Sequence, residues 1–194
     1  MERSKQSKPL LDWRVLLVEF LSVVIGVLIA LAVDEWNEDR QNQNKADLAL
    51  DNIRLELKDN LDILEYLHPN NLAVMSVVFD SVQADTQQNF LPGIQLQETA
   101  WQTLMSTGVA AYIPYEELFQ VSQIYTIQEI YKRSGNQILD SFVNSRSLFM
   151  ALEKDLSDEE IFESNRSGLE MMMYLETNLL EALELYLKDS ESEN

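Results

Sequence analysis

Apolar residues are distributed along this chain in two different ways. From Val15 to Val33 the sequence reads VLLVEFLSVVIGVLIALAV, apolar at nearly every position. A helix built from it has no polar side to turn toward water. From Ala46 onward the apolar positions instead recur three and four residues apart, the period of a helix with one buried face. Ala46, Leu50, Ile53, Leu57, Leu61 and Leu64 form the first seam, with Arg54, Glu56, Lys58 and Asp59 around it. Between the two patterns, Asn37 to Asn44 is wholly polar yet holds neither Gly nor Pro, so the first helix is expected to continue into a solvated stalk.

Further seams follow. His68-Pro69-Asn70-Asn71 is expected to end the helix, because proline disfavours helical geometry in its predecessor and Asn favours turns. Leu72, Met75, Val78, Phe79 and Val82 then mark a second helix, closed by Asn89-Phe90-Leu91-Pro92-Gly93. A short helix from about Gln95 to Ser106 is stopped by Gly108, and Pro114 with Glu116 and Glu117 starts the next one, with proline at the first position and acids in the first turn. Leu118, Val121, Tyr125 and Ile130 continue it to a weak point at Ser134-Gly135-Asn136, after which Ile138, Phe142, Leu148, Phe149 and Leu152 carry on. Ser157 and Glu160 have capping-box spacing. The last helix, about Asp158 to Lys188, presents Leu169, Met172, Leu175, Leu179, Leu183 and Tyr186 on one side. No long stretch alternates with period two, so the expected fold class is all-α: an N-terminal transmembrane helix continuing into an antiparallel helical bundle.

The segment from Val15 to Val33 matches the roughly 20 residues needed to cross a bilayer core of about 30 Å. Trp13 and Trp36 bracket it, and at about 1.5 Å per residue they lie about 35 Å apart, near the two headgroup levels. Arg3, Lys5, Lys8 and Arg14 precede the span, and Asp34, Glu35, Glu38 and Asp39 follow it. Positive charge stays inside, so the N-terminus is expected in the cytoplasm and the rest outside it, in the periplasm of a bacterial inner membrane. The rival reading is a cleaved secretory signal, since Ala30-Leu31-Ala32 has the small-x-small pattern. Against it stand the length of the apolar run, the acid at Glu19 and the absence of a breaker near the cut. The expected divisions are residues 1–14 cytoplasmic, 15–33 membrane-spanning, 34–45 stalk, 46–188 bundle and 189–194 a disordered acidic tail.

Glu19, Ser22, Gly26 and Ala30 follow one another at spacings of three, four and four, which places them on one stripe of the span. Small residues let a second helix approach closely in lipid, where packing and hydrogen bonds drive association. The expected partner is a transmembrane helix of the chain itself or of a membrane complex, besides the bilayer that Trp13, Arg14 and Trp36 would anchor. Glu19 inside a span is costly and invites a functional reading. Its position near the cytoplasmic end also lets it reach the interface or take up a proton.

Charge and composition then exclude. With 33 Asp and Glu against 14 Lys and Arg, the net charge is −19. Nucleic acid is held through cations that displace its counterions, so it is not an expected partner. The chain has no cysteine, which removes disulfides, thiolate metal sites and thiol nucleophiles. Its 46% apolar content in 194 residues suffices for one packed domain and an anchor.

Three stretches resemble a family of uncharacterised bacterial membrane-anchored proteins known as a domain of unknown function. The first is Glu19, six residues, Gly26, three residues, Ala30, five residues, then Trp36-Asn37-Glu38-Asp39-Arg40. The second is Asn52-Ile53-Arg54-Leu55-Glu56-Leu57-Lys58, and the third Ala100-Trp101-Gln102-Thr103-Leu104 with Gly108 and Glu116-Glu117-Leu118. The resemblance covers roughly the first two thirds of the chain. It implies an uncleaved anchor followed by helices and no assigned activity; Pro114 departs from a more ordinary cap at the local turn.

Candidate chemistry is sparse. The single histidine, His68, reads as a surface turn residue, and GxGxxG, P-loop, HExxH and GxSxG patterns are absent from the sequence. Asp155, Asp158, Glu159 and Glu160 could gather oxygens around a divalent cation, but acids are expected in a first helical turn from the dipole alone. Met171-Met172-Met173 and the aromatics from Tyr112 to Phe149 could line a pocket, though their spacing suits core packing. Trp101 fits either core or contact. No catalytic residue, cofactor or metal is expected. The leading expectation is a non-enzymatic interaction protein, self-associating or an accessory subunit of a membrane complex. The alternative is an extracytoplasmic sensor or ligand-binding bundle.

Overall fold

The computed structural model describes residues 13–80, 96–151, 163, 165–192. Among them, four α-helices occur and no strand: α1 (Trp13–Asp80), α2 (Thr99–Thr107), α3 (Tyr115–Ala151) and α4 (Arg166–Ser192), with one 3-10 turn at Val109–Tyr112. The all-α class read from the spacing is thus the class observed. The chain divides into two compact units, one up to Lys45 and one from Ala46 onward.

The first unit is the N-terminal part of α1, helical from Trp13 without interruption. Its most apolar 18-residue window has no buried share, and α1 is the one described helix long and apolar enough to cross a membrane.

In the second unit the first seam is buried as its spacing requires. Ala46, Ile53, Leu57 and Leu64 are fully covered and Leu50 nearly so, while Leu61 is partly buried. Facing them are Val121, Ile124, Tyr125, Tyr131 and Ile138 of α3 and Leu169, Met172, Leu175, Leu179, Leu183 and Tyr186 of α4. Each such aliphatic side chain contributes about 1.5–3 kcal/mol when taken out of water. Cross-links set the directions. Arg54 of α1 meets Glu117 of α3 near one end, and Asn60 meets Gln128 further along, so these two helices run the same way. Gly168 lies against Ile138, while Tyr186 reaches Glu117, so α4 runs antiparallel to α3. Ala100 bonds Glu56 and Gln97 bonds Asn60, which sends α2 down against α1.

Four expectations need correction. Helix α1 continues through Pro69 to Asp80, merging the two helices expected on either side. Proline removes one backbone bond and strains the turn before it, a cost of about 3 kcal/mol. The opposing contacts are long-range: His68 and Asn71, flanking the proline, both bond Glu176 of α4. Helix α3 also runs unbroken through Ser134-Gly135-Asn136. A helical glycine costs only about 1 kcal/mol against alanine, and the buried Tyr131 and Ile138 hold the helix on both sides. Third, α4 stays helical to Ser192, so the tail expected from Asp189 is helix as far as that residue. Finally, Glu56, expected among the solvated residues, is 7% exposed.

Other boundaries agree. Gly108 caps α2 with φ of 73°, the left-handed conformation that glycine adopts without a Cβ clash. Glu116 and Glu117 sit in the first turn of α3, which opens with the Leu118 N–H donating to the Pro114 carbonyl. The Asn89–Gly93 loop, the Ser157–Glu160 box and the Asp155–Glu160 acids lie outside the described residues, as do Arg3, Lys5 and Lys8.

Candidate functional site

The residues expected to form a partner face lie on α1 and are exposed. Glu19, Ser22, Gly26 and Ala30 belong to the uninterrupted helical stretch. The Ser22 hydroxyl donates to the Val18 carbonyl at 2.8 Å, so its hydrogen is held within its own helix. A Cβ at Gly26 would meet nothing within 4 Å. Trp13 and Trp36 are 66% and 63% exposed, and Arg14 is exposed too.

Side-chain chemistry concentrates instead in two buried polar clusters of the second unit. The first centres on the lead-in to α2. Asn60 is fully buried and grips the backbone of Gln97 on both sides: its Oδ1 accepts the Gln97 N–H at 2.7 Å and its Nδ2 donates to the Gln97 carbonyl at 2.8 Å. Gln128 of α3 donates to the same carbonyl at 2.7 Å and accepts from Asn60 at 3.0 Å. One turn back, the Glu56 carboxylate accepts the Ala100 N–H at 2.8 Å and the Tyr125 hydroxyl at 2.6 Å. The residue before α2, Glu98, makes no side-chain cap. Glu56 therefore caps α2 from another helix, giving one of its orphan N–H groups an acceptor. Lys132 holds Glu98 at 3.3 Å, and Trp101 stacks on Tyr125 with ring centroids 5.1 Å apart. Burial, and then the Glu56 bond and charge, push the Tyr125 hydroxyl far above the ordinary tyrosine range.

The second cluster centres on Glu176 of α4, which is fully buried. Its Oε2 accepts from Asn71 Nδ2 at 2.9 Å and from the Tyr131 hydroxyl at 2.5 Å, and its Oε1 lies 2.8 Å from His68 Nδ1. The amide and the phenol both donate to Oε2, and the His68 ring nitrogen shares the third bond with Oε1. Three partners from two other helices thus satisfy one interior carboxyl group, as a buried polar group requires. His68 is 22% exposed at its side chain and helical, not the turn residue expected from the neighbouring proline.

A cleft of about 320 Å³ lies between α3 and α4, lined by Ser134, Gln137, Ile138, Ser141, Asn165, Ser167, Gly168 and Met171. The Ser141 hydroxyl donates to Asn165 Oδ1 across it. Among the described residues, no group of three or more His, Asp or Glu is placed to hold a metal ion. Met172 and Met173 are core, whereas Met171 is 51% exposed.

No family model, curated protein or solved structure matches this chain. The family resemblance therefore rests on the quoted residues alone.

Asn60, Gln128 and Glu176 each occupy a seam position: Asn60 falls between Leu57 and Leu64, Gln128 between Tyr125 and Tyr131, Glu176 between Met172 and Leu179. A polar residue in register with an apolar seam is the sequence signal for such clusters. Glu56 carries no equivalent signal, since it adjoins the seam instead of falling on it.

Proposed function

We propose that this chain is a single-pass membrane protein whose helical domain works through contact with other polypeptides, by self-association or as an accessory subunit of a membrane complex, and not by catalysis. The carrying observation is the apolar stretch of α1, none of it buried, which water would leave uncovered over one continuous surface. A bilayer supplies its cover at the matching length, with Trp13 and Trp36 at the two interfaces. The flanking charges orient it with the N-terminus in the cytoplasm and the bundle outside, at a bacterial inner membrane. Glu19, Ser22, Gly26 and Ala30 give the helix its closest-approach face for a partner helix. The buried Glu56, Asn60, Asn71, Gln128 and Glu176 side chains bond other side chains and the backbone, which supports a structural role for them over a catalytic one.

The test is fractionation of the full chain from its native membrane, followed by mild-detergent purification of wild type and Gly26→Leu with mass spectrometry. Retention in the carbonate-washed membrane with an intact N-terminus, and loss of a stoichiometric partner or homo-oligomer in the variant, is the expected outcome. A chain that washes off, or that begins after Ala32, refutes the anchor. A membrane-bound chain unaffected by the substitution refutes the helix face.

A second reading, a ligand-binding bundle, draws support from the cleft between α3 and α4, whose 320 Å³ is at the small end for ligand pockets. Thermal stabilisation by an added ligand would favour it, since saturation at 100 times the dissociation constant adds about 2.7 kcal/mol.

A further inference from the structure

Helix α2 has nine residues, fewer than the about 12 below which an isolated helix is marginal in water. It has no side-chain cap of its own at Glu98; Leu104 is buried, and Ala100 and Trp101 are half-buried. Its start is held from outside. Asn60 bonds both the N–H and the carbonyl of Gln97, Gln128 donates to the same carbonyl, and Glu56 accepts the Ala100 N–H. These bonds come from α1 and α3 and end on main-chain atoms, while the Gln97 side chain itself is exposed. Leu96, beside the clamp, is buried. The other end is built differently. There α2 stops at Gly108, whose φ of 73° turns the chain through the left-handed conformation, and a Cβ at that position would meet nothing within 4 Å. Just beyond it, Val109 and Ile113 are buried again.

From this geometry we infer that residues 96–107 form a strap: α2 is helical because it is docked, its start is clamped by Glu56, Asn60 and Gln128, and it leaves the bundle as one unit about Gly108 while α1 and α3 stay folded. Proteins open in such contiguous cooperative units, and a short helix whose cap comes from a neighbour loses that cap in the same step in which it undocks. Release breaks the Trp101 stack on Tyr125 and uncovers Glu56, Asn60, Tyr125 and Gln128 together. Val109 and Ile113 hold the chain past the hinge in the core, so the motion ends at the glycine.

Hydrogen exchange of the detergent-solubilised full chain across a urea series tests this. Amides of residues 97–107 are expected to share one opening whose urea dependence is under about half that of residues 47–64 and 117–131, because the dependence scales with the surface exposed. Asn60→Ala removes two bonds of the clamp and is expected to speed exchange of the strap by about tenfold or more, with its shallow urea dependence kept. A strap that opens with the urea dependence of residues 47–64 and 117–131, acceleration confined to residues 97–100, or no acceleration each overturns the inference. Should Asn60→Ala not fold, Gln128→Met takes one donor from the Gln97 carbonyl at little change in volume. It is expected to speed the strap by about threefold and is read the same way.

Discussion

Replacing Glu56 by alanine probes how α2 is attached. The carboxylate is 7% exposed and has two acceptor duties, to the Ala100 N–H and the Tyr125 hydroxyl. Losing the first removes the cap of α2, worth about 1 kcal/mol. Losing the second strands a hydroxyl in the interior, at about 1–3 kcal/mol. The sum is a destabilisation of about 2–4 kcal/mol, well beyond the ~0.5 kcal/mol scatter of ordinary surface substitutions. Urea unfolding of the detergent-solubilised chain, followed by circular dichroism, measures it. Tyr125→Phe sharpens the test. With the hydroxyl already gone, Glu56→Ala should cost about 1–2 kcal/mol less than in the wild-type background, a coupling that a thermodynamic cycle reads directly. An effect of Glu56→Ala under about 0.5 kcal/mol, or strict additivity with Tyr125→Phe, refutes the reasoning.

Alkaline stability follows from two buried tyrosines. Burial, and next the charge of Glu117, push the Tyr186 hydroxyl up to about 12, and Tyr125 is raised further. Folding thus holds protons that the unfolded chain gives up near pH 10. The stabilising contribution is complete below about pH 10 and falls as pH rises through the folded values. A pH series of urea midpoints should decline from about pH 10 upward, less steeply in Tyr186→Phe. Gly108→Ala places a Cβ at φ of 73°, and since nothing lies within 4 Å the cost is backbone strain alone, about 1 kcal/mol in the same assay. Leu57→Ala removes a fully covered seam residue and should cost about 2–5 kcal/mol. Asn60→Leu keeps the branched shape but takes the acceptor from the Gln97 N–H and one of two donors from its carbonyl, with an expected loss of about 2–4 kcal/mol.

Periodicity made much of the fold legible. All six apolar residues chosen on the last helix are buried, and the Gly108 stop and the Glu116-Glu117 start fall where local chemistry puts them. The continuity of α1 through Pro69 and of α3 through Ser134-Gly135-Asn136 was not legible, and for a common reason: local rules describe a turn in isolation, whereas the helix is kept by partners distant in sequence. His68 and Asn71 are separated from Glu176 by 108 and 105 residues. The polar clusters were half legible. Asn60, Gln128 and Glu176 interrupt apolar seams and could be noticed as anomalies. Their partners could not, because a hydrogen bond between helices depends on register that one sequence does not display.

That distinction gives the buried polar groups their physical meaning. A seam of Leu, Ile and Met is satisfied by any helix of similar volume and by several registers, since apolar burial is not directional. Asn60 against the Gln97 peptide, Glu56 against the Ala100 N–H and Glu176 against its three partners are satisfied in one arrangement only. Sliding α4 by one turn along α1 and α3 would keep most of the apolar contacts and strand Glu176 without its partners, at the cost of an unsatisfied buried polar group. The apolar seams thus make a bundle, and the polar clusters select which bundle. Replacing Glu176 by leucine, with Tyr131→Phe, His68→Leu and Asn71→Leu to remove its three partners, should accordingly leave a stable helical protein that has lost uniqueness of register. Dispersed side-chain resonances in place of broad or doubled ones in that quadruple variant would show that the apolar seams alone suffice.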